Sequence, residues 1–173
     1  MPGMDHILAK AFLATGGSVA YPQWAVVEQV AAVGVVPAAV QIAPTSLGVA
    51  AGGGAATALG VCQEPLDAVK TNTGKAFISV MLAGNTKCIW DGTTGGTTPW
   101  ATVGVAPVIG ALVVPSATVA GRVKFLPAST APFLGWQILG TLLSLPGSPL
   151  PTFGANAAAG DLFDVALTFG ARA

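Results

Sequence analysis

Charge is what this chain has least of. Asp, Glu, Lys and Arg together make up 8% of its 173 residues, against about a quarter in an ordinary soluble domain. Seven basic residues balance seven acidic ones, so no net field steers the chain toward nucleic acid or an anionic membrane. Hydrophobic residues reach 53%. A chain with so little charge to keep it soluble as a monomer is read as one whose surface is covered by copies of itself or by a partner.

Chemistry-bearing residues are scarce as well. The one histidine, His6, lies near the start of the chain, and the two cysteines, Cys62 and Cys88, are too few for a disulfide framework. Both fall in or beside strand-like runs (LGVCQ and KCIWD), where buried thiols are expected, and no Asn-x-Ser/Thr sequon occurs. The opening MPGMDHILAKAFLATGGSVA places Asp5 where a secretory leader carries positive charge, puts Lys10 inside its apolar stretch, and has too short an apolar core. Synthesis in a cytoplasm is the expectation.

Uninterrupted apolar spans are missing too. Val30–Gln63, Gly92–Gly121 and Phe125–Gly160 are free of charge, yet each is cut by Pro or Gly, among them Pro37, Pro44, Pro99, Pro107, Pro115, Pro127, Pro132, Pro146, Pro149 and Pro151. A spanning helix needs about 20 mostly apolar residues, and backbone freed by such breaks would go unsatisfied in lipid. One Tyr and four Trp are thin material for the girdles of an outer-membrane barrel. No membrane partner is expected.

What is present is short strands and punctuation. Asp5–Ala14 spaces Ile7, Leu8, Ala11 and Phe12 along one helical face, which predicts a short helix that needs a surface to lie on. VAYPQWAVVEQVAAVGVV, broken by Pro22, reads as an extended or edge segment. Strand-like runs follow at Leu59–Gln63, Ile78–Leu82, Thr86–Trp90, Val108–Val114, Gly121–Leu126 and Phe133–Leu139, with a turn expected at Asp91-Gly92. In Gly121–Leu126, Val123 and Phe125 alternate with Arg122 and Lys124. The fold class expected is all-β: a small β-barrel or sandwich of short strands with long Gly/Pro loops over residues 59–173, preceded by an extended N-terminal arm, 1–58.

One strand is written twice. GKAFISVMLAG, Gly74–Gly84, returns as GDLFDVALTFG, Gly160–Gly170, with Ile78, Val80 and Leu82 answered by Phe163, Val165 and Leu167. Thr73-Gly74 and Ala159-Gly160 stand before the two strands as turns, each followed by a charged residue, Lys75 or Asp161. Leu59-Gly60-Val61 precedes the first strand, and Leu134-Gly135-Trp136 is matched to it ahead of the second. Each copy thus supplies an alternating face as one wall of a core.

These phrases carry a resemblance. LGVCQEP followed by TGKAFISVMLAG, and LGWQILG followed by AAGDLFDVAL, resemble the strand phrases of the small capsid decoration (cement) proteins of tailed bacteriophages. The likeness covers about residues 59–173; Lys75 stands where an acid is usual, and residues 1–58 match none of it. The resemblance implies a barrel that joins the outside of an expanded capsid, usually as a trimer at local threefold positions, with the major capsid protein and its own copies as partners. The site implied is the outer surface of a virion. The N-terminal segment would then reach a capsid subunit through Ile7, Leu8, Phe12, Tyr21 and Trp24; packing of these residues on their own barrel is the alternative.

Enzyme chemistry is not expected, nor any metal or cofactor. Pairing His6 with Cys62 or Cys88 has no motif behind it. Asn72-Thr-Gly-Lys75 lacks the other residues of a phosphate loop, with Val69 and Ala76 standing where Gly and Ser/Thr belong. Asp161 and Asp164, three apart on a strand, point to opposite faces, and Glu64, Asp67 and Asp91 are too scattered to read as metal ligands. Trp90, Trp100 and Trp136 lie in or beside strand runs, where core or interface packing is the commoner use. The competing function is a head-fibre or surface-exposed module that binds glycans or a host surface, using Trp100 and the long loops, or a self-assembling surface protein.

Overall fold

Two rings of strands share one long strand. The computed structural model describes residues 8–30, 38–45, 58–94, 109–125, 137–144 and 159–168. They form strands β1 (Leu8–Leu13), β2 (Val26–Val30), β3 (Ala39–Ile42), β4 (Ala58–Cys62), β5 (Phe77–Thr94), β6 (Leu112–Pro115), β7 (Val123–Phe125), β8 (Gly140–Leu142) and β9 (Leu162–Leu167), with one four-residue helix, α1 (Ala68–Thr71). The fold is all-β. Val, Ile and aromatic residues supply the pleated, half-buried surfaces that favour strands.

The second ring is a closed five-stranded barrel, β5-β7-β6-β8-β9, in which β9 returns to pair with β5. The first ring runs β5-β4-β2-β3 by ladders, carries β1 on β5, and closes through one parallel bridge, Ala14 with Val40. Among the described residues the pairings are antiparallel except that bridge and β5 with β7. Closure leaves few free edges, the usual liability of a sheet.

The two rings have the same topology and the same register. In chain order β1, β2, β3, β4 and the first half of β5 answer the second half of β5, β6, β7, β8 and β9. Val26·Val61 and Val27·Gly60 in the first ring become Leu112·Thr141 and Val113·Gly140 in the second. Val61·Met81 and Cys62·Val80 become Thr141·Ala166 and Leu142·Val165. Phe12·Ile78 becomes Cys88·Phe163, and the parallel contact Ala14·Val40 becomes Trp90·Val123. Irregular hydrogen bonds repeat as well: Cys62 N–H to Ala25 O and Leu142 N–H to Ala111 O, both 2.9 Å. The chain is one small barrel built twice, with the last strand of the first copy running on as the first strand of the second.

The cores follow from this. Val27, Val40, Cys62, Ile78, Val80 and Leu82 fill the first ring with Tyr21 and Leu66. Their counterparts Val113, Val123, Leu142, Phe163, Val165 and Leu167 fill the second with Cys88, Trp90 and Phe125. Phe125 meets Phe163 edge-on, ring centroids 4.6 Å apart. Val26, Ala43, Ala58, Val61 and Met81, on the outer face of the first ring, pack into the second core and join the barrels.

Several expectations change. Leu8–Leu13 is a strand, not a helix, because β5 offers it a six-residue ladder that outweighs the weak helical spacing of so short a segment. The segment expected as an arm pairs into the first ring through β1, β2 and β3. Asp91-Gly92 is not a turn. Gly92 does take a positive φ of 90°, but inside β5, while the buried Asp91 carboxylate accepts from Ser116 Oγ at 2.6 Å. Lys124, which alternates in sequence with Val123 and Phe125, is buried along with them, at 2% exposure. The counterpart of Leu59-Gly60-Val61 is Leu139-Gly140-Thr141, as the shared register shows; Leu134-Gly135-Trp136 lies outside the described residues.

Candidate functional site

Where the barrels meet, the surface is grooved. Trp24 and Gln63 come from the first barrel, Leu143 and Asp164 from the second, and Asn85, Thr86 and Lys87 of β5 form the floor; the open volume is about 450 Å³. Gln63 is tied down by its own amide, which donates to Val61 O at 2.9 Å and to Thr86 Oγ1 at 3.1 Å. Lys87 and Asp164, directly opposed in the β5–β9 ladder, form a salt bridge of 2.9 Å with both side chains nearly half exposed. Hydrogen bonding from Lys87 holds the Asp164 carboxyl below its ordinary range.

Trp24 holds the least comfortable backbone here. Its φ is +69°, a left-handed conformation that costs a residue with a Cβ roughly 1–2 kcal/mol. The same position in the second barrel is Gly110, with φ +88°, and both N–H groups bond the matching carbonyl, Cys62 O or Leu142 O. The indole packs on the second core, so the strain places an aromatic at the junction where the repeat alone requires only glycine.

The sequence-derived contact residues divide. Tyr21 is buried, 1% exposed; its hydroxyl donates to Val40 O at 2.8 Å and takes Thr15 N–H at 3.1 Å. Phe12 packs on the first core. Both therefore serve the chain's own barrel. Leu8 remains 41% exposed, Trp24 is half-buried at the groove, and Ile7 lies outside the described residues, as do His6, Trp100 and Trp136. Ile78, Val80, Leu82, Phe163, Val165 and Leu167 are buried core. Gly74 and Gly160 take positive φ, 66° and 99°, with Asp161 directly after Gly160 in the turn before β9.

A second open groove of about 410 Å³ lies beside α1, between Glu64, Pro65, Lys70 and Phe77. Phe77 is 64% exposed there, and its counterpart Leu162 43%. Among the described residues no three His, Cys, Asp or Glu side chains gather as metal ligands, and no helix is long and apolar enough to cross a membrane. Burial pushes the Cys62 thiol up to about 12 and raises Cys88 further, which keeps both protonated and unreactive at neutral pH.

Sequence reading missed Gln63, Asn85, Lys87 and Leu143. Their only signal is the repeat itself, which makes a single strand serve two barrels and so creates a junction. Comparison with protein-family models, curated proteins and solved structures returned no match.

Proposed function

We propose that this chain is a non-enzymatic decoration protein, which binds the outside of an expanded phage capsid and stabilises it as a trimer bridging major capsid subunits. The observation that carries the reading is that the resembling phrases fall on β4, β5 and β9, repeated strands of the double barrel, while the described end of LGWQILG, Gln137–Gly140, leads into β8. Support comes also from the charge-poor composition and from the thiols, held unreactive by burial. A ligand that binds only the assembled shell stabilises it by mass action, and several weak contacts per oligomer add through avidity. Differential scanning calorimetry of expanded shells, with and without the protein, tests this: the shell transition moves up on saturation, and an unmoved transition contradicts the role.

A second reading is favoured by the junction groove. Its Trp24, flanked by Asn85, Lys87 and Asp164, offers the aromatic surface and paired donors and acceptors that a sugar uses. Glycan-array binding lost in a folded Trp24→Ala variant would select that reading over cementing.

A further inference from the structure

The internal junction has one open end. On the first barrel, the outer-face residues Val26, Ala58, Val61 and Met81 are buried, at 0%, 7%, 0% and 8% exposure, because the second barrel covers them. The shared register names Leu112, Thr141 and Ala166 on the second barrel as the counterparts of Val26, Val61 and Met81, and Ile138 stands before Gly140 in the chain as Ala58 stands before Gly60. Leu112, Ile138, Thr141 and Ala166 are only half-buried, and Leu143 beside them is 40% exposed. The Lys87–Asp164 ion pair stands at their edge, where it lines the groove with Leu143. A face that the fold covers once is thus repeated without the same cover.

What covers the first copy is also repeated. Gly121, just before β7, wedges between the diverging ends of β2 and β3: its C=O accepts from Val26 N–H at 2.8 Å and its N–H donates to Ala43 O at 2.9 Å. A Cβ there would come within 2.9 Å of Ile42 Cγ2. The matching position in the first barrel, just before β3, is Ala38, which is exposed and carries the methyl that Gly121 lacks, so a docked copy sits slightly further out at this point than the internal wedge. The molecule therefore presents the receiving face at one end and the inserting edge at the other.

We propose that a second copy of this chain occupies the Leu112–Ile138–Thr141–Ala166 face, its first barrel docking there as the second barrel docks on the first within one chain. The contact is head-to-tail, so each chain uses two different surfaces, and such contacts close into rings or grow as fibres according to the rotation between copies. This deepens the reading that the chain assembles with itself and names the surface that does so. It makes no use of the capsid.

Sedimentation velocity of the isolated protein over a wide concentration range tests it, with no shells present. Two variants block one end each: Thr141→Arg on the receiving face and Ala38→Arg on the inserting edge, the latter at an exposed position outside both cores. Far-ultraviolet circular dichroism and thermal melting establish that each is folded. Wild type is expected to rise from the mass of one chain to multiples of it, each variant alone to stay monomeric, and an equimolar mixture to form a two-chain species and nothing larger. A monomeric wild type across the range overturns the proposal. So does association of folded Ala38→Arg like wild type, or a mixture of folded variants that stays monomeric. A monomeric wild type that still saturates shells defeats this inference and leaves decoration standing.

Discussion

Gly60 and Gly140 carry the same task in the two barrels. Each lies in a strand against the last strand of its ring, and a Cβ would overlap the carbonyl oxygen of Met81 or Ala166. Neither has room to give, since the obstacle is backbone. Gly60→Ala and Gly140→Ala are each expected to destabilise by ~1–3 kcal/mol, read as a lower urea midpoint with an unchanged m-value. Gly110 differs: nothing lies within 4 Å of a Cβ there, so Gly110→Ala should cost only its left-handed backbone, about 1 kcal/mol. The buried ionisable groups set the alkaline behaviour. Lys124, lowered from 10.5 to about 8 chiefly by burial, binds its proton less tightly when folded, so its contribution makes stability rise with pH from 8 to 10.5. Cys62 and Cys88, raised from 9.0 by burial, contribute stability present below pH 9 and lost as pH climbs toward 12. Stability in urea is therefore expected to peak near pH 9, and Lys124→Met to remove the rising limb between 8 and 9.

At the scale of elements, β5 decides the architecture. Its first half pairs with β1 and β4, its second half with β9 and β7, and Gly84, at φ 108°, stands at the changeover. That β5 and β9 are the same strand could be read from Ile78-Val80-Leu82 against Phe163-Val165-Leu167, because alternation at period two is a local signal. The partners of that strand could not. Leu134-Gly135 and Leu139-Gly140 look alike in sequence, and only the ladder Gly140·Leu167 distinguishes them. Nor could β1 be read, since its exposure pattern is almost uniform and its conformation is fixed by contacts with residues more than 60 positions away. The burial of Lys124, at 2% exposure, has no local signal either, since it alternates in sequence with the apolar Val123 and Phe125. The groove residues carry no pattern of their own and become visible only once two barrels share a strand. The Lys87–Asp164 pair spans that shared strand in exposed geometry, and pairs of this kind contribute roughly 0–1 kcal/mol. Asp164→Asn should lower the urea midpoint only slightly.

For the whole molecule, the shared strand and the mixed core imply one cooperative unit. Five residues of the first barrel, Val26, Ala43, Ala58, Val61 and Met81, belong to the second barrel's core, so neither barrel can open without exposing apolar surface of the other. Tryptophan fluorescence and far-ultraviolet circular dichroism should therefore report coincident unfolding transitions; separated transitions would mean that the barrels are independent. A rigid double scaffold with little charge is suited to a role performed by surface contact. The central claim is the proposal that this surface recognises an assembled shell, and the most direct measurement is cosedimentation of the purified protein with expanded, undecorated shells of a tailed phage. The account predicts saturable binding with a fixed ratio of chains to capsid subunits and no binding to unassembled subunits. Absence of binding to intact expanded shells would contradict it.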